Sequence, residues 1–481
     1  MNGPSIPAAG HSTPDPRPLP WISVAPHAPY FVDETGAPWT PIGQNDAIEW
    51  PDLNGLFRRR DLPAVDRHLA WLAAHGVTCL RLMVEYAQGR HRYLERPAGV
   101  FVPAMVQWWD DMFALCERHG LRILLTPVDT FWMWLRWRDH PWNAAKGGPL
   151  AHMREALTCP VTRDAIKARL TFMVTRWGGS GALFAWDLWN EIHPAQANDT
   201  VDCWPEFIAD LSHHVRGLEQ RLYGRTHPQT VSLFGPELDH HPELDMATPI
   251  FRHPDLDFAT IHIYRHGSID DPRNTVAPAV AMGRIVRDCL AEITDRRPFL
   301  DTEHGPIHRF KDKKRTLPAA FDDEYFRHMS WAHLASGGVG GGMRWPNRHP
   351  HVLTHGMRDA QRAMAGFLPM VDWARFDRGN RSAAVTATGF HRFACASEAQ
   401  AVIWLLRRGT PAGDGRVDAA APPRSPRVTL PGLSPGRYRI TGWDTVAGTV
   451  VETIEVAAAK AVHFTPAPIV ADRAFAINRL A

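Results

Sequence analysis

Short apolar runs alternate along this chain with longer stretches whose apolar residues recur every three or four positions, from about residue 40 to about residue 375. The runs fall at 41–45, 77–84, 121–129, 183–191, 230–236, 256–264, 297–305 and 339–345, each short enough for a strand. Between them Leu62, Val65, Leu69, Leu72 and Ala73, then Met105, Trp108, Trp109, Met112 and Leu115, keep helical spacing. His75-Gly76 and His119-Gly120 put a glycine just past the last apolar position, where a left-handed residue ends a helix. The fifth helix is the weakest, because three prolines between His240 and Pro254 limit it to a turn or two.

Alternating strand and helix is the mark of a parallel β/α architecture. Eight such units over about 330 residues predict a closed (β/α)8 TIM barrel, of class α/β, over residues 21–374 rather than an open doubly wound sheet. From about Arg375 the texture changes to β-branched runs at 401–406, 436–442 and 449–456, punctuated by Gly and Pro. This predicts a small C-terminal β-sandwich over 375–481, with 409–426 as a long loop inside it. Residues 1–20 read as a flexible Pro-rich leader, and no internal repeat of 20 to 50 residues is visible. The glycine-rich stretch 337–342 misses the G-x-G-x-x-G spacing and reads as a tight eighth strand.

Composition narrows the function more than the fold. At 44% hydrophobic and 22% charged residues the chain is an ordinary globular one, and 481 residues allow a large domain plus a smaller one. Fifty-three Lys and Arg against 51 Asp and Glu leave a formal charge of +2, so neither nucleic acid nor an anionic membrane is expected as a partner. The six cysteines never form C-x-x-C, which argues against a zinc ribbon or a disulfide framework. No apolar run approaches a membrane span, and the leader has neither a basic n-region nor an apolar h-region. The expected compartment is the cytoplasm, or the exterior if an export signal has been removed. The unusual count is tryptophan, 19 in all, ten of them between Trp108 and Trp204.

In a barrel of this kind, chemistry collects where the strands end. Those ends read Asn45, Arg81, Asp129, Asn190 with Glu191, His262 with Tyr264, Glu303 and Trp345. Glu191 closes FAWDLWNE and Glu303 closes PFLDTE, so a closed barrel brings two carboxylates to one mouth. Glycoside hydrolysis needs such a pair, one protonated as general acid and one that attacks or activates water from the opposite face. The plainer alternative is two separate salt-bridged carboxylates.

The Trp-Asn-Glu ending of the fourth strand and the glutamate ending the seventh resemble the retaining glycoside hydrolases of clan A, closest to family 5 and its cellulase- and mannanase-like members. The resemblance covers nearly the whole barrel. It implies Glu191 as acid/base, Glu303 as nucleophile, Asn190 beside the acid/base, Arg81 beside the nucleophile, His262 and Tyr264 as the sixth-strand pair near it, and Trp345 as a sugar-stacking aromatic. It also implies a β-linked mannan- or glucan-like carbohydrate as substrate, with no metal or organic cofactor. The third strand departs from the pattern, ending Pro127, Val128, Asp129 where many family 5 members carry a histidine.

Elementary chemistry agrees with these roles. A permanently charged Arg81 keeps Glu303 ionised, a Tyr264 hydroxyl adjusts its nucleophilicity, and Asn190 can donate to a sugar 2-hydroxyl. Retention requires carboxyl groups about 5 to 5.5 Å apart, inversion about 6.5 to 9.5 Å, and the shorter distance is expected. A pyranose stacks its C–H face on flat rings, for which Trp132, Trp345 and Trp50 are the candidates just past strand ends. Asp129 either binds a sugar hydroxyl or caps the following turn, and His304 and His308 either line the sugar site or satisfy their loop.

Two rival readings stand beside this one. The first is a metal-dependent hydrolase barrel drawn from His240, His241, His262, His304, His308, His349 and His351, although no H-E-x-x-H exists. The second is a catalytically silent carbohydrate-binding barrel. Residues 177–181 miss G-x-S-x-G, and the basic run 311–315 reads as a solvated loop. In the sandwich only Trp404, Tyr438 and Trp443 are candidates for a carbohydrate surface, so support of the barrel is its expected role.

Overall fold

In the computed structural model, which describes residues 18–85, 92–307, 316–409 and 411–480, eight parallel strands form one curled sheet. A small antiparallel sheet precedes it, made of β1 (Ile22–Val24), β2 (Phe31–Asp33) and β3 (Pro38–Trp39). The barrel strands are β4 (Gly43–Asp46), β5 (Cys79–Met83), β6 (Arg122–Thr126), β7 (Leu183–Asp187), β8 (Gln229–Thr230), β9 (His262–Ile263), β10 (Glu303–His304) and β11 (Met343–Arg344). β11 pairs in parallel with β4, and a parallel bridge between Phe234 and His262 joins the fifth strand to the sixth, which closes the ring. All eight predicted runs hold a strand. The fullest ones, CLRLM, RILLT and LFAWD, are buried at every position, as strands sealed between a barrel interior and a helix layer must be.

The helices follow the predicted punctuation. Leu62–Ala74 starts on Asp61, whose carboxylate accepts from Ala64 N at 3.0 Å, and is followed by Gly76 at φ +75°. Pro103–His119 ends on Gly120 at φ +70°. The fifth unit has only Glu237–His240 and Thr248–Phe251, a turn each. One expectation is corrected: 337–342 is not strand. Gly337, Gly340 and Gly342 take φ of +111°, +67° and +74°, a left-handed path that precedes the two paired residues of β11. A Cβ on Gly342 would stand 2.7 Å from Asp301 Oδ2, so glycine is also required there by space.

The sequence reading left 21–40 without a structure, and these residues plug the N-terminal end of the barrel. Phe31 sits edge-on to Phe184 and Phe258, with ring centroids 4.9 and 5.4 Å away. The residues predicted as leader beyond this plug, 1–17, lie outside the described residues, as do His308 and the basic run 311–315.

At the other end of the chain β12 (Gly379–Asn380), β13 (Phe390–Ala396), β14 (Gln400–Arg407), β16 (Gly436–Asp444), β17 (Thr449–Ala458) and β19 (Asp472–Arg479) form a six-stranded antiparallel sheet. It is faced by the pair β15 (Val428–Pro431) and β18 (Ala461–Phe464). β14 shows how this small sandwich is attached. Ile403 and Leu405 join the sandwich core, while Val402, Trp404 and Leu406 join the barrel core, the period of two separating one strand into two loyalties. Trp404, Tyr438 and Trp443 are all buried, and their polar atoms bond Asp472 Oδ2, Ser434 O and Ala363 O. They hold structure together and present no carbohydrate face.

A buried ion pair pins the two cores. Arg327, on the helix Ala319–Ala335, donates to Asp472 Oδ1 of β19 at 2.5 Å and to Thr445 Oγ1 at 2.7 Å. Although burial opposes it, Arg327 and His328 hold the Asp472 carboxyl down at about 2. A depressed carboxylate stabilises the fold fully above its unfolded value near 4, and that contribution fades as pH falls towards 2. Asp472→Ala should cost about 3–5 kcal/mol in urea unfolding at pH 7, because it strands the guanidinium. The difference from wild type should shrink on acidification through that window.

Candidate active site

Arg81 lies in the middle of β5, facing the barrel interior and wholly sealed from water. A charge there needs counter-charge and directed acceptors. Its Nη1 donates to Asn45 Oδ1 at 2.8 Å and to Glu303 Oε2 at 3.1 Å, and its Nη2 donates to Asp187 Oδ2 at 2.8 Å and to Asn190 Oδ1. Residues from the first, second, fourth and seventh strands thus meet on one guanidinium. Asp187 is the member that sequence reasoning missed. It takes two more bonds from Ser232, N to Oδ1 and Oγ to Oδ2, each at 2.9 Å. The signal was available: a carboxylate inside LFAWD, a strand buried on both faces, demands a cation, and β5 offers one.

Above this floor stand the two predicted glutamates. Glu303 Oε1 accepts from Tyr264 Oη at 2.5 Å, so both its oxygens are held, one by a cation and one by a phenol. Glu191 Oε1 lies 2.7 Å from His262 Nδ1, which also stands 3.6 Å from Glu303 Oε2. One oxygen of each glutamate lies within 4.8 Å of the other. His262 Nε2 has no acceptor among the described residues, so the network assigns the imidazole hydrogen to Nδ1, where it is donated to Glu191. That bond fixes Oε1 and leaves Oε2 of Glu191 to carry a proton.

The two carboxylates differ in environment. Burial raises Glu191 to about 7, Arg81 and His193 pulling it back and Glu237 and Asp187 pushing further. Burial also raises Glu303, but Arg81 and the Tyr264 hydroxyl oppose that rise by direct bonds. His262 is pushed by burial down to about 4 and is neutral at ordinary pH. Glu191 is the more accessible, with 17% of its side chain exposed against 10% for Glu303. Its backbone is held at φ +50°, an unfavourable conformation for a residue with a Cβ, secured by its N–H on Ser232 Oγ at 3.2 Å.

The remaining candidates divide into support and mouth. Asn45 is buried, its Nδ2 tied to Thr302 O and Met343 O, so it aims Arg81 and has no path to substrate. Asp129 takes the capping role: its oxygens accept from Phe131 N and Trp132 N, and from Asn190 Nδ2 at 2.6 Å. His304 does not line the sugar site. Strand side chains alternate, so Glu303 points in and His304 points out, fully buried on Asp301 Oδ2 at 2.7 Å. Trp50 is 2% exposed, its face covered by His351 at 4.8 Å and its edge set against Trp345 at 5.0 Å. It buttresses Trp345. Trp132 is likewise buried, with the Arg136 guanidinium over its ring, and the exposed aromatics of that loop are Phe131 and Trp134.

Among the described residues, the histidines of the metal reading do not gather. His240 and His241 flank Glu237, His304 faces away, and His351 lies on Trp50. His262 does stand with Glu191 and Glu303 at a spacing an ion could span, but the Arg81 guanidinium already occupies the same field. A second cation there would face it across Glu303.

Comparison with known proteins agrees with this geometry. No family model matches the chain. In sequence it is 24% identical over 261 residues to mannan endo-1,4-beta-mannosidase 7 of Arabidopsis thaliana, a match covering 49% of this chain and 55% of that protein. It therefore spans about half the length of that relative. A glycoside hydrolase family 5 structure from Bacteroides vulgatus superposes with a TM-score of 0.59 at 12% identity, covering 96% of this chain and 95% of the other. A second structure, described as a glycoside hydrolase, gives the same TM-score at 13% identity over 96% and 98%. The chain has the fold of a family 5 glycoside hydrolase. Its resemblance to the mannanase-like members of that family holds in sequence as well.

If Arg81 is the keystone, a lysine cannot replace it, since one ammonium cannot reach four acceptors set around a planar fork. Arg81→Lys should lower stability by about 3 kcal/mol in urea unfolding, from the buried acceptors it leaves unmet.

Proposed function

We propose that this chain is a retaining β-glycoside hydrolase acting on a β-linked, mannan-like carbohydrate. The observation that carries the reading is the pair Glu191 and Glu303, close together at one barrel mouth and held in unlike environments. One oxygen of each lies within 4.8 Å of the other, a close approach that supports the short carboxyl separation of retaining enzymes, roughly 5 to 5.5 Å. The mannan-like substrate rests on the sequence similarity to the mannan endo-1,4-beta-mannosidase.

The chemistry follows from the two environments. Glu191, raised to about 7 by burial, is protonated in weakly acidic solution and donates its Oε2 proton to the departing glycosidic oxygen. Glu303, its two oxygens aimed by Arg81 and Tyr264, attacks the anomeric carbon as the carboxylate from the opposite face and forms a glycosyl ester. Water then enters, Glu191 takes its proton, and the second displacement restores the original anomeric configuration. Asn190 gives one amide hydrogen to Asp129 and keeps the other for a sugar hydroxyl. Trp345 forms the wall behind the sugar, and no step requires a metal or an organic cofactor.

Three measurements test this. Glu303→Ala with an aryl β-mannoside should lose turnover and regain it with azide as an α-glycosyl azide, whereas Glu191→Ala should yield the β-azide. A wild type that binds mannan oligosaccharides without cleaving them would establish the silent barrel instead. Because the acid must be protonated and its value is raised, kcat/KM should fall as pH rises through about 7. In Glu191→Ala that basic limb should vanish for substrates whose leaving group needs no protonation. Tyr264→Phe removes a bond to a charged oxygen and should cut kcat by about 10- to 100-fold with little change in KM.

A further inference from the structure

Three residues past the first barrel strand, the loop at the mouth leaves a pocket of about 510 Å³ that no part of the proposed chemistry uses. It lies between the short helix Asn54–Arg59 and the stretch that follows the second strand. Four arginines line it, Arg58, Arg60, Arg92 and Arg96, against a single carboxylate, Glu49, which Arg92 engages at 2.5 Å. Its floor is apolar, with Phe57 at the centre. The guanidinium carbons of Arg92, Arg58 and Arg60 stand 3.1, 5.4 and 5.8 Å from the Phe57 ring centroid. Three cations over one ring repel one another, and the ring face alone does not offset that.

Two further features mark the pocket as more than a solvated basic edge. Arg58 and Arg59 both take left-handed backbones, at φ +54° and +51°, a conformation costly for side-chain-bearing residues in succession. Arg59 is anchored by its bidentate pair with Asp111, at 2.8 and 2.7 Å, and this turn carries Arg58 and Arg60 to the pocket rim. Among the described residues neither Arg58 nor Arg60 has a carboxylate partner. Tyr93, 2% exposed, also lines the pocket; its hydroxyl has no hydrogen-bond partner among the described residues and lies in the field of Glu85 and Asp139 as well as of Arg136 and Arg96. Buried donors of this kind are normally satisfied.

The pocket lies on the same side of the barrel as the strand ends, and Trp50, the residue after its Glu49, abuts Trp345. We propose that it binds an anionic group, a carboxylate or a phosphate, carried by the carbohydrate that occupies the mouth. Planar guanidiniums match both oxyanions by paired N–H bonds, and the apolar floor strengthens the attraction. The word carbohydrate rests on the hydrolase reading; the anion site itself does not.

The full chain carrying Glu303→Gln, which stops turnover, allows binding to be read by calorimetry. Neutral β-1,4-mannotetraose and a β-linked tetrasaccharide bearing one glucuronate are compared, with free glucuronate and inorganic phosphate as competitors. The charged tetrasaccharide should bind about tenfold tighter, and the gain should disappear in high salt and in Arg58→Asn/Arg60→Ala. Asparagine is chosen because it tolerates a left-handed backbone, and both residues are exposed, so the fold is kept. Displacement by phosphate but not glucuronate assigns a phosphorylated sugar, and the converse a uronic acid. Equal binding of the two tetrasaccharides together with no binding of inorganic phosphate through Arg58 and Arg60, or a gain that survives the double variant, overturns the proposal. Should the wild type fail to cleave aryl β-mannosides while phosphate or glucuronate still binds through Arg58 and Arg60, the hydrolase reading falls and the anion site stands.

Discussion

A guanidinium with no access to water governs this barrel mouth. Arg81 cannot be neutralised, so every neighbour must answer its charge, and the answer fixes the positions of Asn45, Asp187, Asn190 and Glu303 at once. Asn45 in turn reaches the backbone of the seventh and eighth strands, and Asp187 the fifth-strand Ser232. The floor of the site is therefore one hydrogen-bonded unit drawn from most of the ring. Glu303 is aimed by it directly. Glu191 is aimed through Asn190, its neighbour in sequence, and through His262 across the mouth.

That arrangement explains why two glutamates of the same type can take opposite roles. Both are buried and both are raised by it, so burial alone does not distinguish them. What separates them is the direct partner: a permanent cation and a phenol for Glu303, a neutral imidazole for Glu191. A cation stabilises an anion at every pH of interest, whereas a neutral donor fixes one oxygen and leaves the other to gain and lose its proton. The left-handed backbone of Glu191 belongs to the same logic, since it turns the carboxylate back over the mouth at the cost of local strain.

Much of this was legible in the chain, and what was not has physical causes. The eight apolar runs and the polar residues ending them gave the barrel and its mouth, because strand burial and strand ends are written in local pattern. Asn45, Asp129 and His304 sat at the right ends, but a sequence does not say which way a side chain points where a strand pairs over only two residues, as β10 does. The tryptophans misled for a related reason. Trp50 and Trp132 follow strand ends as sugar platforms do, yet their rings are large enough to be drawn into the loop core, where His351 and Arg136 cover them. Asp187 was overlooked because the apolar run extends to 191 and places it mid-run, whereas the strand itself ends at Asp187. The plug at 21–40 was overlooked because its strands are only two or three residues long.

Buried contacts link the C-terminal sheet to the strand that carries Glu303. The helix Ala319–Ala335 packs between the barrel wall and β14, nearly all of it buried, and it carries Arg327 to the sheet and His333 to the backbone N–H of Asp301 at 3.1 Å. Asp301 accepts from the N–H of Glu303 itself at 3.1 Å and from His304 on the outer face. A continuous path of buried polar contacts therefore runs from the sheet, through one helix, to the backbone of the nucleophile candidate. The sandwich has no exposed aromatic row among Trp404, Tyr438 and Trp443 with which to hold sugar, and its alternating strand β14 shares its side chains between two cores. Its buried contacts reach, by way of this helix, the backbone of the seventh strand from which Glu303 is aimed.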